Sequence, residues 1–352
     1  MLSTPTWGRE TVETEYEASV RTTDYHTAGE PFRIVVGGTP ATFGATVLER
    51  REFAQGSAGV EDVRKLLCHE PRGHSDMYGC FLVPPDDEGA HLGVLFWHKD
   101  GYSTACGHGT IALGAWAVQT GRVRADPDGD TEVVIDVPSG RVVARVSCSD
   151  GTVDAVAFRN VPSYVVARDL KLQLSAGPVC VDVSYGGAFY ASAPASAFGL
   201  SVTPDNYSDL IRIGREVKSV LQFASVAKHP DDPRLSGLYG TILYDDLGDT
   251  PVGVHQRNVT IFADGEVDRS PCGSGTSARV ALLVEQGRMK PGQTLTHDSL
   301  IGTRFDAQLV ELTVTGDRAS VIVDVRGMAY RTGEHVFHLD ARDPVGTGFV
   351  LR

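Results

Sequence analysis

One eighteen-residue stretch occurs twice in this 352-residue chain. CGHGTIALGAWAVQTGRV runs from Cys106 to Val123, and CGSGTSARVALLVEQGRM runs from Cys272 to Met289. Laid side by side without a gap, nine of the eighteen positions are identical. Two copies 166 residues apart are too sparse for a solenoid and point to two duplicated domains of like fold.

Each copy opens with a Cys-Gly-x-Gly turn and continues as small and aliphatic residues. Ile111, Ala112, Leu113, Ala115, Trp116, Ala117 and Val118 cover every face of a helix, and a helix apolar all round is buried. Val280, Ala281, Leu282, Leu283 and Val284 continue the second copy, which is interrupted by Arg279. Gly121 and Gly287 are placed to end these helices in the left-handed conformation. Elsewhere the chain is β-rich. FRIVVGG, GVLFWHKDGY, the run from Thr131 to Val161 and ASVIVDVRGMAY carry the β-branched and aromatic bias of strands. The spacing also predicts helices over 47–70 and over 207–223, the latter with Leu210, Ile213, Val217 and Leu221 on one face. Each domain is therefore expected to wrap strands around one central helix, with a cysteine at that helix's N-terminal end.

A helix N-terminus carries roughly half a positive charge and unpaired N–H groups. A thiol there is expected to have a lowered pKa, and the N–H groups can hold a carboxylate. Two such ends facing each other would place a thiol on each side of the carbon that bears the carboxylate. That geometry removes a proton from one face of a stereocentre and returns one to the other. Three other readings of the cysteines compete. They could simply pack, but the same thiol stands at the same point of both copies. Gly107-x-Gly109-x-x-Ala112 and Gly273-x-Gly275-x-x-Ala278 fit a dinucleotide fingerprint, but the second copy has no acid about twenty residues on. Cys106 and His108 could begin a zinc site, yet the second copy has Ser274 in place of the histidine, and Cys68, His69 and His74 add no standard spacing. No Gly-Lys-Ser/Thr follows the glycines, which excludes a P-loop.

The net charge of −13 argues against a nucleic-acid partner, whose grip comes from clustered Lys and Arg. No apolar run is long enough for a membrane-spanning helix, so no membrane partner is expected. Residues 1–20 are polar and acidic, read as a flexible tail, and lack the pattern of a secretory signal, so the cytoplasm is the expected location. The six cysteines, Cys68, Cys80, Cys106, Cys148, Cys180 and Cys272, are expected to be free thiols.

The motifs DYHTAGEPFRIV (24–35), EPRGHSDMYG (70–79), CGHGTIALG (106–114), YGGAFYA (185–191), LYGTIL (238–243) and DRSPCGSGTSAR (268–279) resemble the proline racemase family. This group holds proline racemase, 4-hydroxyproline 2-epimerase and trans-3-hydroxy-L-proline dehydratase. The resemblance implies an α/β protein of diaminopimelate-epimerase-like fold. Two pseudo-symmetric domains, each a curved mixed sheet or barrel around its helix, would close over the substrate. The first domain would take 21–152 and about 336–352, and the second 153–335. The resemblance also implies a cofactor-free, metal-free enzyme acting on an imino acid, proline or hydroxyproline, with a homodimer as the expected assembly. Its catalytic pair maps onto Cys106 and Cys272, its carboxylate contacts onto Gly107, His108, Gly273 and Ser274, and its ring-nitrogen contacts onto His108 and Asp268. His74 and Tyr78 are candidates for contacting a ring hydroxyl or the ring face.

The expected activity is racemisation or epimerisation at Cα by two thiols, with dehydration of trans-3-hydroxy-L-proline as the alternative. The neighbouring motifs look most like the dehydratase branch. That branch typically has Thr where this chain has Cys272, and the residue at that position carries the greater weight. A dinucleotide-binding dehydrogenase and a non-catalytic binder of small molecules are the readings from other classes.

Overall fold

The computed structural model describes residues 19–222 and 224–351. The expected N-terminal tail lies outside the described residues, except for Ser19 and Val20, which begin the first strand.

The first half is built from β1 (Ser19–Thr27), β2 (Glu30–Gly37), α1 (Val47–Gly56), α2 (Ala58–Cys68), β3 (Gly79–Val83), β4 (Leu92–His98), β5 (Gly101–Tyr102), α3 (Gly107–Gln119), β6 (Asp130–Val137), β7 (Gly140–Ser149) and β8 (Thr152–Arg159). The second half follows a similar order, with three strands instead of two before its first helix and a single helix in place of α1 and α2. It holds β9 (Ser163–Leu174), β10 (Gly177–Tyr185), β11 (Phe189–Pro194), α4 (Tyr207–Leu221), β12 (Leu238–Thr250), β13 (Gly253–Phe262), β14 (Glu266–Asp268), α5 (Gly273–Glu285), β15 (Thr294–Ser299), β16 (Arg304–Thr315) and β17 (Arg318–Gly327). A last strand, β18 (Ala329–His338), returns to pair with β1 along its whole length.

The duplication therefore extends far beyond the eighteen-residue repeat. In the first half β2 runs parallel to β3 and β4 to β6; in the second, β11 runs parallel to β12 and β13 to β15. The remaining neighbours are antiparallel. Strands β9 to β13 and β15 to β17 form a ring that closes where β17 meets β9. The first ring is joined by β8 to β17, which runs through Met328 into β18. The chain thus crosses between halves at 160–162 and at Met328. We draw the boundary there rather than at 153 and 336, because β8 packs with β7 on α3 and β18 pairs with β1.

Each ring encloses one of the repeat helices. Gly107 to Ala117 of α3 and Gly273 to Leu283 of α5 are buried throughout, as the all-round apolar sequence of α3 requires; α5 also buries Arg279, which donates to the Gln256 Oε1 at 3.2 Å and lies over the Tyr244 ring. Helix α3 packs on β1, β2, β7, β8 and β18, and α5 on β9, β10, β16 and β17. Both helices end as expected, with Gly121 at φ +70° and Gly287 at φ +72°. Helix α4 buries Leu210, Ile213, Val217 and Leu221, the predicted face. The predicted helix over 47–70 is two helices, because the chain turns extended at Ser57, whose N–H bonds back to Ala54. The six cysteines are free; only Cys180 is exposed. No helix among the described residues is long and apolar enough to cross a membrane.

Candidate active site

The two repeat helices meet head to head. A Cβ built on Gly107 would lie 2.5 Å from the Gly273 Cα and 2.8 Å from the Ser274 nitrogen. One built on Gly273 would lie 2.7 Å from the Gly107 Cα. Only glycine at both positions lets the helix ends approach this closely. Two positive helix ends, each with first-turn N–H groups that have no acceptor inside the helix, therefore converge on one point.

The cysteines are the N-cap residues of these helices. The Cys106 Sγ accepts the Gly109 N–H at 3.2 Å. Cys272 sits at φ +63°, a left-handed conformation rare for a residue with a Cβ and a form of strain that concentrates at functional sites. Its N–H donates to the Ser270 Oγ at 3.1 Å.

Both thiols line one small cavity with Tyr78, Ala105, Gly107, His108, Tyr190, Tyr239, Phe262, Asp268 and Ser274. Its volume is about 10 Å³, room for about one water molecule, so the two halves close tightly around the site. The two Gly-x-Gly turns serve the contact between the helices. Of the lining residues only Tyr239 is half-buried, and it also borders a wider cleft lined by residues of both halves.

Asp268 and His108 face each other across the halves, with Oδ2 and Nδ1 3.9 Å apart. The Asp268 Oδ1 accepts the Ser270 N–H at 2.8 Å and hydroxyl at 2.7 Å. Burial raises this carboxyl to about 6, against the pull of Ser270. Burial lowers His108 to about 3, so its ring is neutral at pH 7. The His108 nitrogens lie 3.5 Å from the Cys106 Sγ, and Tyr78 stands edge-on to the ring at 4.9 Å. The Tyr78 hydroxyl contacts the Ser103 hydroxyl and lies 3.1 Å from that of Tyr239. On the other wall, the Tyr190 hydroxyl bonds the Ser274 Oγ at 2.7 Å and stands 3.9 Å from the Cys272 Sγ.

Two expectations need correction. Neither thiol is lowered by its helix end in this closed cavity. Burial pushes both well above their ordinary value, and the Gly109 N–H only partly offsets this at Cys106. His74 does not reach the cavity. Its loop turns where the Gly73 N–H meets the His69 carbonyl and the Met77 N–H meets the His74 carbonyl. His74 is left exposed beside Cys68, His69 and Glu70, while Tyr78 points inward. Tyr190, Tyr239, Phe262 and Ala105 line the cavity without having been singled out from the sequence. The signal was present for two of them, in YGGAFYA and LYGTIL.

Behind the cavity's aromatic wall, where the His98 ring packs on Tyr78, Tyr239 and Phe262, His98, Asp100 and Glu266 are the one group of potential metal ligands found among the described residues. The Lys99 ammonium lies 2.7 Å from Asp100 and 3.9 Å from Glu266, so a cation already faces these acids.

A family model described as Proline racemase matches residues 22–350. The chain belongs to the proline racemase family. It is 43% identical over 331 residues to the trans-L-3-hydroxyproline dehydratase of Xenopus tropicalis, covering 94% of each chain. It is 39% identical over 330 residues to the trans-3-hydroxy-L-proline dehydratase of Bacillus cereus, covering 94% of this chain and 97% of that one. Among solved structures, the hydroxyproline epimerase of Agrobacterium vitis with bound trans-4-hydroxy-L-proline superposes with a TM-score of 0.89 at 31% identity, over 96% of this chain and 97% of that one. Within the proline racemase family, then, the two named sequence relatives are dehydratases and the named solved structure is an epimerase, while this chain's second repeat helix begins with a thiol.

Proposed function

We propose that the protein is a trans-3-hydroxy-L-proline dehydratase. The observation that carries the reading is the abutment of two cysteine-capped helix ends at Gly107 and Gly273, over a cavity that also holds Asp268 and His108. The choice of dehydration rests on kinship, 39% and 43% identity to named dehydratases against 31% to the epimerase.

The substrate carboxylate lies against the first-turn N–H groups of α3 and α5. Asp268 takes the ring ammonium, with neutral His108 beside it. That ammonium brings a positive charge next to the thiols and, with the helix ends, favours the thiolate of Cys106 in a site closed to water. In trans-3-hydroxy-L-proline the hydroxyl and the α-hydrogen lie on the same ring face, because each is opposite the carboxylate. One thiol can therefore serve both. The Cys106 thiolate takes the α-hydrogen, the electron pair forms the C2–C3 double bond, and the C3–O bond breaks. The departing hydroxide takes the proton back from Cys106 and leaves as water, which restores the thiolate. The enamine then moves a proton from nitrogen to C3 and becomes the cyclic imine.

Cys272 supports a second reading. A thiol on the opposite face can return a proton to Cα, which is racemisation or epimerisation of proline or 4-hydroxyproline. Proton NMR separates the two, with L-proline, trans-4-hydroxy-L-proline and trans-3-hydroxy-L-proline each incubated with the purified protein in D2O. Loss of water from the 3-hydroxy compound alone is the expected result. Deuterium entering Cα with inversion, without loss of water from the 3-hydroxy compound, would overturn it in favour of the second reading.

A further inference from the structure

We propose that Asp76 and Glu30 are positioning residues that dock the strand carrying Asp268 against the first half, and so set that carboxylate for the substrate ammonium. The inference rests on the reading of Asp268 given above.

Strand β14 is only three residues long and pairs on one side with β13. Beyond that pairing, two carboxylates of the first half take up its hydrogen bonds. The Val267 N–H donates to the Asp76 Oδ1 at 3.1 Å, and the Arg269 guanidinium donates to the Asp76 Oδ2 at 2.8 Å. The Arg269 N–H donates to the Glu30 Oε2 at 2.7 Å. Both residues flanking Asp268 are thus gripped across the boundary between the halves. Asp76 and Glu30 are buried, so the grip is shielded from water and salt.

The donors alternate with the site residue. The Val267 and Arg269 amides point toward the first half, and Asp268 between them reaches the cavity. Asp76 also lies two residues before Tyr78, so one loop docks β14 and lines the cavity. The position of Asp268 relative to His108 and Cys106 therefore depends on closure of the halves. This gives Glu30 in DYHTAGEPFRIV and Asp76 in EPRGHSDMYG a role that contact with substrate does not.

The test combines three measurements on Asp76→Asn, Asp76→Ala, Arg269→Met and Asp268→Asn. They are the melting curve, kcat and KM for trans-3-hydroxy-L-proline, and hydrogen exchange of the peptide spanning 262–270. Asp76→Ala is expected to raise KM about ten- to hundredfold, with a smaller fall in kcat, since bonds to a charged group are lost. Exchange should quicken in 262–270 while the rest of the fold stays protected. Asp76→Asn, which keeps an acceptor for Val267, should fall between. A merely structural defect would lower the melting curve and kcat together without this split. KM within twofold of wild type in Asp76→Ala, or unchanged exchange in 262–270, overturns the proposal. Should Asp76→Ala fail to fold, Arg269→Met breaks the same pair from the other side under the same criteria. If Asp268→Asn itself leaves KM unchanged, the reading of Asp268 fails, and with it the link to substrate. If Asp268→Asn raises KM and Asp76→Ala does not, the docking role alone fails.

Discussion

Alanine at Gly107 adds a single methyl group where the two helices meet. Its Cβ would lie 2.5 Å from the Gly273 Cα and 2.8 Å from both the Gly273 carbonyl carbon and the Ser274 nitrogen. Comfortable carbon–carbon contact needs about 3.5–4.0 Å, so the helix ends must part by roughly 1 Å. The obstacle is backbone, which cannot swing aside as a side chain can. Overpacking of this kind costs about 1–3 kcal/mol, or a fall in Tm of about 2–12 °C for domains of this size. The larger effect falls on catalysis. Parting the ends by about 1 Å separates the carboxylate cradle from the thiols, a displacement that can lower the rate about a hundredfold. The assay is imine formation from trans-3-hydroxy-L-proline at saturating and limiting substrate, alongside a thermal melt. Gly59→Ala is the matched control, since a Cβ there meets nothing within 4 Å at an exposed position of α2. A Gly107→Ala protein with kcat/KM within threefold of wild type would refute the claim that contact of the helix ends builds the site.

Other outcomes follow from the same geometry. Cys106→Ser should remove both dehydration and any exchange of the α-hydrogen in D2O; turnover near the wild-type rate would exclude Cys106 as the base. The acid limb of kcat/KM should fall near pH 6, where Asp268 gains its proton and loses its hold on the ammonium, and Asp268→Asn should lose that limb along with most activity. The same carboxyl should affect stability with a definite sign. Its folded pKa lies above the ordinary 3.8, so the folded state binds the proton more tightly, and this group makes the fold less stable as pH rises from about 4 to about 6. Chemical denaturation across that range, wild type against Asp268→Asn, measures it. Gly59→Ala should itself raise stability by up to about 1 kcal/mol, as at other exposed helical positions, with no change in kcat.

The repeat made the centre of the molecule legible. Two matching Cys-Gly-x-Gly turns ahead of largely apolar runs were enough to place two buried helices, their left-handed glycine ends and a cysteine at each start. Two things lay outside its reach. Contacts between the halves leave no local pattern, so Phe262 in the cavity wall and the grip of Asp76 and Glu30 on β14 emerge only when the rings are assembled. Burial is also a property of the closed fold, and here it outweighs the helix-end effect that argues for lowered thiols. His74 and Tyr78 show the limit within one motif. They lie four residues apart in EPRGHSDMYG, and the turn between them sends one to solvent and the other to the cavity.

The central claim is that one thiol, on the face shared by the α-hydrogen and the hydroxyl, performs the elimination. The Cys272→Thr variant tests it most directly, assayed by proton NMR in D2O with trans-3-hydroxy-L-proline and trans-4-hydroxy-L-proline. Dehydration of the first should persist, and any inversion at Cα of the second should vanish. Loss of dehydration in Cys272→Thr as complete as in Cys106→Ser would contradict the single-face mechanism.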